Sequence, residues 1–185
     1  MLTEISLNIL DIAENSVRAN ASLIEIYVSA SEAKDELVVV IKDNGCGMTP
    51  EQLKKAEDPF FTTRTTRKVG FGISFFKQAA LLTGGSFSIE SELSVGTSVK
   101  AAFGLSHIDR MPLGDITATI YNLVVFHKDI DFYYLYRIND REFVLDTREL
   151  REILGDVPFD TREVSEYIKE FLIENKKEID CGIIL

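Results

Sequence analysis

Apolar residues recur at helical spacing near the start of the chain. Leu2, Ile5, Ile9 and Ile12 share one face, and Leu10, Ala13 and Val17 widen it. This predicts a helix over residues 3–19, broken at Asn20-Ala21. Leu23-Ile24-Glu25-Ile26-Tyr27-Val28 reads as a strand and residues 31–36 as a polar turn. Leu37-Val38-Val39-Val40-Ile41 is a β-branched run suited to a buried central strand. Thr49-Pro50-Glu51 is a helix start, with Thr as cap, Pro in the first turn and an acidic residue suiting the dipole. Residues 58–70 are rich in Thr and Arg and read as a loop. Gly72 to Leu82 reads as a helix ended by Gly84-Gly85. Phe87–Glu90 and Thr97–Phe103 look like a hairpin pair joined through Ser94-Val95-Gly96.

The order helix, strand, strand, helix, strand, strand predicts an α/β fold, a two-layer sandwich with helices on one face of a mixed β-sheet. The character changes near Gly104, so the chain divides into a domain over 1–106 and a small α+β C-terminal appendage over 107–185. In the appendage, Asp115 is a candidate cap for a helix reaching about His127. Asp131 to Ile138 is an aromatic strand, Asn139-Asp140 a turn before Glu142–Leu145, and 147–154 and 161–176 are charged amphipathic helices. The aromatics Phe132, Tyr133, Tyr134 and Tyr136 suit either a docking surface or the appendage's own core.

Composition narrows the classes. The chain has 185 residues, 45% of them hydrophobic, and a formal net charge of −10. An acidic surface repels nucleic-acid phosphates and anionic membranes, so neither is an expected partner. Arg64, Arg67 and Lys68 form a local basic cluster beside Gly70 and Gly72. No apolar stretch approaches the ~20 residues that span a bilayer, and the first residues do not read as a signal peptide. The two cysteines, Cys46 and Cys181, read as free thiols. The expected compartment is the cytoplasm.

Four short motifs carry the chemistry. They are Asp11-Ile12-Ala13-Glu14-Asn15-Ser16, Asp43-Asn44-Gly45-Cys46-Gly47-Met48, Asp58-Pro59-Phe60-Phe61-Thr62-Thr63-Arg64 and Val69-Gly70-Phe71-Gly72-Ile73. Asp11 and Asn15 are four residues apart and so lie one turn apart on one helix face. Glu14 points about 100° away from Asn15. Gly45 and Gly47 end a buried strand and let the backbone approach a ligand or take positive φ. Gly70 and Gly72 open a helix, whose N-terminus exposes N–H groups to an anion. No Gly-Lys-Ser/Thr follows, so this is not a Walker loop.

In this order and spacing, over roughly residues 5–104, the motifs resemble the GHKL ATPase superfamily of gyrase, heat-shock chaperones, histidine kinases and MutL. The resemblance implies a Bergerat-type ATP-binding fold with ATP and Mg as cofactors. Asn15 is then the magnesium ligand, in keeping with an ion that takes few protein oxygens. Asp11 occupies the position of the general base that activates water. That residue is Glu in the family's hydrolases; Asp is one methylene shorter, which implies slow hydrolysis. Asp43 is the acceptor for the adenine amino group, and Gly45 and Gly47 border the base. Thr62, Gly70, Phe71 and Gly72 belong to the phosphate and lid region, and Gly96-Thr97 matches a third family motif in which Thr97 supports the aspartate.

The implied activity is a weak Mg-dependent ATPase serving as a regulatory switch on an unidentified protein partner. One alternative is a protein serine kinase of the anti-sigma-factor type or histidine-kinase-related phosphotransfer. The other is a non-catalytic ATP-sensing module. No phosphoacceptor hairpin is expected ahead of the first helix, and only His107 and His127 exist. Ser106–Leu113 faintly matches a phosphoacceptor box around His107, whereas His127 reads as structural. The whole chain also resembles small ATP-binding proteins associated with iron-hydrogenase genes, although no cysteine cluster for iron–sulfur ligation is present. A homodimer stays open.

Overall fold

The structure is a computed structural model that describes residues 3–56 and 72–185. The elements within them are α1 (Ile5–Arg18), β1 (Leu23–Ser31), β2 (Glu36–Asp43), α2 (Pro50–Ala56), α3 (Gly72–Leu82), β3 (Ser86–Glu92), β4 (Gly96–Gly104), α4 (Ile116–Phe126), β5 (Asp131–Ile138), β6 (Arg141–Asp146), α5 (Thr147–Leu154) and α6 (Arg162–Asp180). Six strands form one sheet in the order β3-β4-β2-β1-β5-β6. All pairs are antiparallel except β1 with β5, which is parallel, with Ile26 opposite Tyr134. The sheet is therefore mixed, as expected.

Strand side chains alternate between faces, and burial follows that alternation along β1 and β2. Ile24, Ile26, Val28, Leu37, Val39, Ile41, Val99, Ala101 and Phe103 line the inner face and are all buried. Burying each large aliphatic side chain contributes about 1.5–3 kcal/mol. Helices α1, α3, α4 and α6 cover this face. The opposite face keeps charged and half-buried residues, among them Tyr27 and Tyr133 with ring centroids 5.5 Å apart. The Lys42 ammonium lies 5.6 Å from the Tyr27 ring centre. The result is the two-layer sandwich that the element order implies.

Local chemistry sets the element ends. Thr49 and Gln52 form a reciprocal cap on α2: Thr49 N donates to Gln52 Oε1 at 2.8 Å, and Gln52 N donates to Thr49 Oγ1 at 3.3 Å. Asp115 caps α4 by accepting from Ala118 N at 2.8 Å. Asp146 caps α5, accepting from Arg148 N at 3.0 Å. Helix α6 runs to Asp180, four residues past the expected end. Its last turn is pinned there: Tyr136 Oη donates to Asp180 Oδ1 at 2.6 Å and Lys176 Nζ to Asp180 Oδ2 at 2.5 Å.

Residues 107–185 join the same sheet and the same core. Phe132, Tyr134 and Tyr136 of β5 are buried, so these aromatics are core rather than a docking surface. Tyr134 meets Phe143 edge-on at 5.7 Å, and Phe143 meets Phe171 of α6 edge-on at 6.0 Å. Tyr133 points to the other face. The segment is tied to the first helix by Ile5 N donating to Pro112 O and Ser6 N to Leu113 O, at 3.0 and 2.8 Å.

Candidate functional site

The Asp43 carboxylate sits at the end of central strand β2, between the C-terminal half of α1 and the start of β4. Its Oδ1 accepts from Gly45 N at 2.9 Å and from Thr97 N at 3.3 Å, and its Oδ2 accepts from Ser16 Oγ at 2.6 Å. A carboxylate offers about four lone-pair positions. Three are taken by these donors, so one acceptor position is left, on Oδ2. The carboxylate is thus fixed in orientation and can receive one further donor.

Ser16 was missed as a site residue, although it closes the first motif. It is one turn beyond Ile12 on the buried face of α1, where its exposure is 3%. A buried hydroxyl on an apolar helix face needs a partner, and that demand was the available signal. Thr97 reaches Asp43 through its backbone N–H. Its hydroxyl shares a 2.8 Å hydrogen bond with Ser91 Oγ instead. Ser91 is the hinge of the neighbouring turn: its Oγ also accepts from Met48 N at 2.9 Å and donates to Gly96 O at 3.0 Å.

Gly47 shows why this turn needs glycine. Its φ is +63°, and a Cβ there would lie 1.9 Å from Glu92 O. Asn44 locks the turn from the other side, its Oδ1 accepting from Ser22 N and Leu23 N, each at 2.9 Å.

Asp11 and Asn15 lie one turn apart on the same half-exposed side of α1, as their spacing requires. Asn15 Oδ1 accepts from Arg18 Nη1 at 2.8 Å. Asp11 lies against the first residue of α3, because a Cβ on Gly72 would fall 1.9 Å from Asp11 Oδ2. The structure therefore brings Asp11, Asn15, Asp43, Gly45, Gly47, Gly72 and Thr97 into one region bounded by α1, the β2 end and the α3 start. Thr62, Gly70 and Phe71, with Phe60, Phe61, Arg64, Arg67 and Lys68, lie outside the described residues.

Glu14 turns away from this region. Its Oε1 is 2.8 Å from His127 Nε2 at the end of α4. His107 is exposed in the turn after β4, with its Nδ1 accepting from Asp109 N at 3.2 Å. Thr97 and Gly104 are roughly 23 Å apart at ~3.3 Å per strand residue, so His107 lies beyond the far end of β4 from Asp43. No group of three or more His, Cys, Asp or Glu side chains suited to a metal is found among the described residues. An ion held chiefly by phosphate and water needs no such group. The Asn15 side-chain oxygen, on the half-exposed face that carries Asp11 and shared with Arg18, is the kind of single protein ligand such an ion takes. No helix among the described residues is long and apolar enough to cross a membrane.

Residues 2–107 match the family described as histidine kinase-, DNA gyrase B-, and HSP90-like ATPase. A probable C4-dicarboxylate sensor kinase of Bacillus subtilis is 32% identical over 78 residues, which are 42% of this chain and 15% of that protein. The chain thus spans a small fraction of the curated relatives it matches. The N-terminal domain of a DNA repair protein has the same fold, with a TM-score of 0.57 and 16% identity over 78% of this chain and 53% of that one. The Aquifex aeolicus MutL ATPase domain complexed with ADP gives a TM-score of 0.51 and 15% identity, covering 83% of this chain and 70% of that one. A single sheet with Asp11, Asn15, Asp43 and Gly72 gathered between α1, the β2 end and the α3 start, together with a family match over more than half its length, makes this chain a member of the histidine kinase-, DNA gyrase B- and HSP90-like ATPase family.

Proposed function

We propose that the chain binds ATP with magnesium at the α1–β2–α3 region and hydrolyses it slowly, as a switch acting on a protein partner. The observation that carries this reading is the Asp43 carboxylate, oriented by three donors and left with one acceptor position. One N–H of the adenine amino group suits that position, and a base with a carbonyl there would meet a second acceptor. Asn15 Oδ1, released from Arg18, would hold the magnesium, whose role is to neutralise phosphate charge. Asp11 is the general base on the attacking water, within reach of the helix N-terminus that opens at Gly72. A cytoplasmic location belongs to the same reading and is supported by Cys46 and Cys181, both exposed and unpaired.

The test is incubation of the purified protein with magnesium and γ-labelled ATP, beside Asp11→Ala and Asp43→Ala. Both released phosphate and label on protein are followed. The reading expects slow phosphate release by the wild type, binding without release by Asp11→Ala, and no binding by Asp43→Ala. Acid-labile label on the protein would favour phosphotransfer through a histidine. Binding with neither release nor label would leave a nucleotide sensor.

A further inference from the structure

A surface groove of about 1000 Å³ runs between the first two turns of α4 and the second half of α6. Every residue lining it lies between Gly114 and Ile184, in the part of the chain that the family match leaves out. Part of the lining is apolar or small: Ala118 and Tyr121 on α4, Ile173 on α6 and Ile183 beyond it. The α6 wall repeats at helical spacing, with Lys169, Ile173, Lys176 and Lys177 all facing the groove. Ile173 keeps 46% of its surface exposed, uncovered by any described element.

The charges are distributed unevenly. Lys176 is satisfied by Asp180, and Asp115 is occupied in capping α4. Lys169 and Lys177 are exposed, and neither has an ion-pair partner among the described residues. They are eight positions apart, so about 12 Å separates them along the helix at ~1.5 Å per residue. These two free cations lie along the groove beside its apolar residues, on a chain whose net charge is −10. Long-range repulsion from the rest of the surface disfavours acidic partners everywhere except at such a local cationic rim.

We infer that the α4–α6 groove docks an acidic amphipathic segment of a protein partner, its apolar anchors on Ile173 and Tyr121 and its carboxylates on Lys169 and Lys177. A helical segment with anchors at i, i+3 and i+7 spans about the same length as the two lysines and would present its flanking acids to both. The inference gives the partner in the proposed switch a docking surface, but its test needs no nucleotide. Failure of the ATP reading and failure of this one are therefore separable.

The experiment uses the full chain without ATP and three fluorescein-labelled peptides. One is amphipathic with Leu and Ile anchors and Glu flanks, one replaces each Glu by Lys, and one keeps Glu but replaces each anchor by Ser. Binding is read by fluorescence anisotropy at low and high salt, and hydrogen exchange maps where protection appears. Only the acidic anchored peptide should bind, with affinity falling as salt rises, and protection should appear over residues 114–122 and 169–184. The pair Lys169→Glu/Lys177→Glu should weaken it roughly tenfold or more. Ile173→Asp should abolish it, and both variants should keep wild-type thermal unfolding.

Four results would overturn the inference: no binding of the acidic peptide, equal binding of the basic one, full binding by the lysine variant, or protection elsewhere. Self-association lost in the same variants would make the occupant a second copy of this chain. Binding of anionic phosphatidylglycerol vesicles in place of the peptide would make it a lipid surface. Either of those outcomes also overturns it.

Discussion

Asp43 and Asp11 carry the residue-scale expectations. Ser16→Ala removes the donor at 2.6 Å from Asp43 Oδ2 while leaving the two backbone donors on Oδ1. A hydrogen bond to a charged group contributes about 1.5–3 kcal/mol, so ATP affinity should fall roughly tenfold or more, with little change in fold. Isothermal titration against wild type checks this, and unchanged affinity would remove Ser16 from the site. Gly72→Ala forces a Cβ into the space of Asp11 Oδ2. Phosphate release should then drop towards that of Asp11→Ala, by more than any loss of ATP binding. A variant with undiminished turnover would mean that Asp11 works from another position. Motif matching singles out residues whose types are chemically conspicuous, two carboxylates, an amide and several glycines among them. It passed over Ser16 and Ser91 because a serine becomes informative only once its partner in space is known.

At the scale of elements, caps and strand-end contacts decide where helices stop, and they respond to pH. Asp146 caps α5 and its carboxyl is held below the usual range, chiefly by its hydrogen bond to the Arg148 guanidinium. A depressed folded value means that this contribution to stability is present above the unfolded pKa of about 3.9 and is lost as pH falls through the folded value. Asp146→Asn keeps the cap geometry and removes the charge. Its urea midpoint should lie below wild type at neutral pH, and the gap should close under acid conditions below the folded value. A gap that stays constant with pH would deny the charge a role. The element list itself was largely legible, because amphipathic periodicity, β-branched runs and Asx or Thr caps are local signals. The end of α6 was not, since its last turn is stabilised by Tyr136, 44 residues away in sequence.

At the scale of the molecule, β5 lies parallel beside β1 and continues the sheet beyond the family-matched residues. We expect a chain ending at residue 106 to be poorly stable, because it would bare the backbone edge of β1 and uncover apolar surface beneath α4. Size-exclusion chromatography and thermal unfolding of the truncated chain check this. A soluble, cooperatively folding fragment would establish 1–106 as an autonomous domain. The Glu14–His127 contact belongs to the same scale, tying the helix that carries Asp11 and Asn15 to the end of α4.

What the amino-acid order determined by itself is the set of elements, the inward face of each, and the place of Asp11 and Asn15 on α1, of Asp43 at the β2 end and of Gly72 at the α3 start. All of these follow from period, cap and turn chemistry within a few residues. Three things were decided only in the folded chain: the strand order, with β5 beside β1; the three donors on Asp43; and the lysine-rimmed groove between α4 and α6. Each depends on pairs of residues far apart in sequence. Such contacts are selected by collective packing of the whole core, and no local pattern encodes which partner a strand edge or a buried hydroxyl will meet.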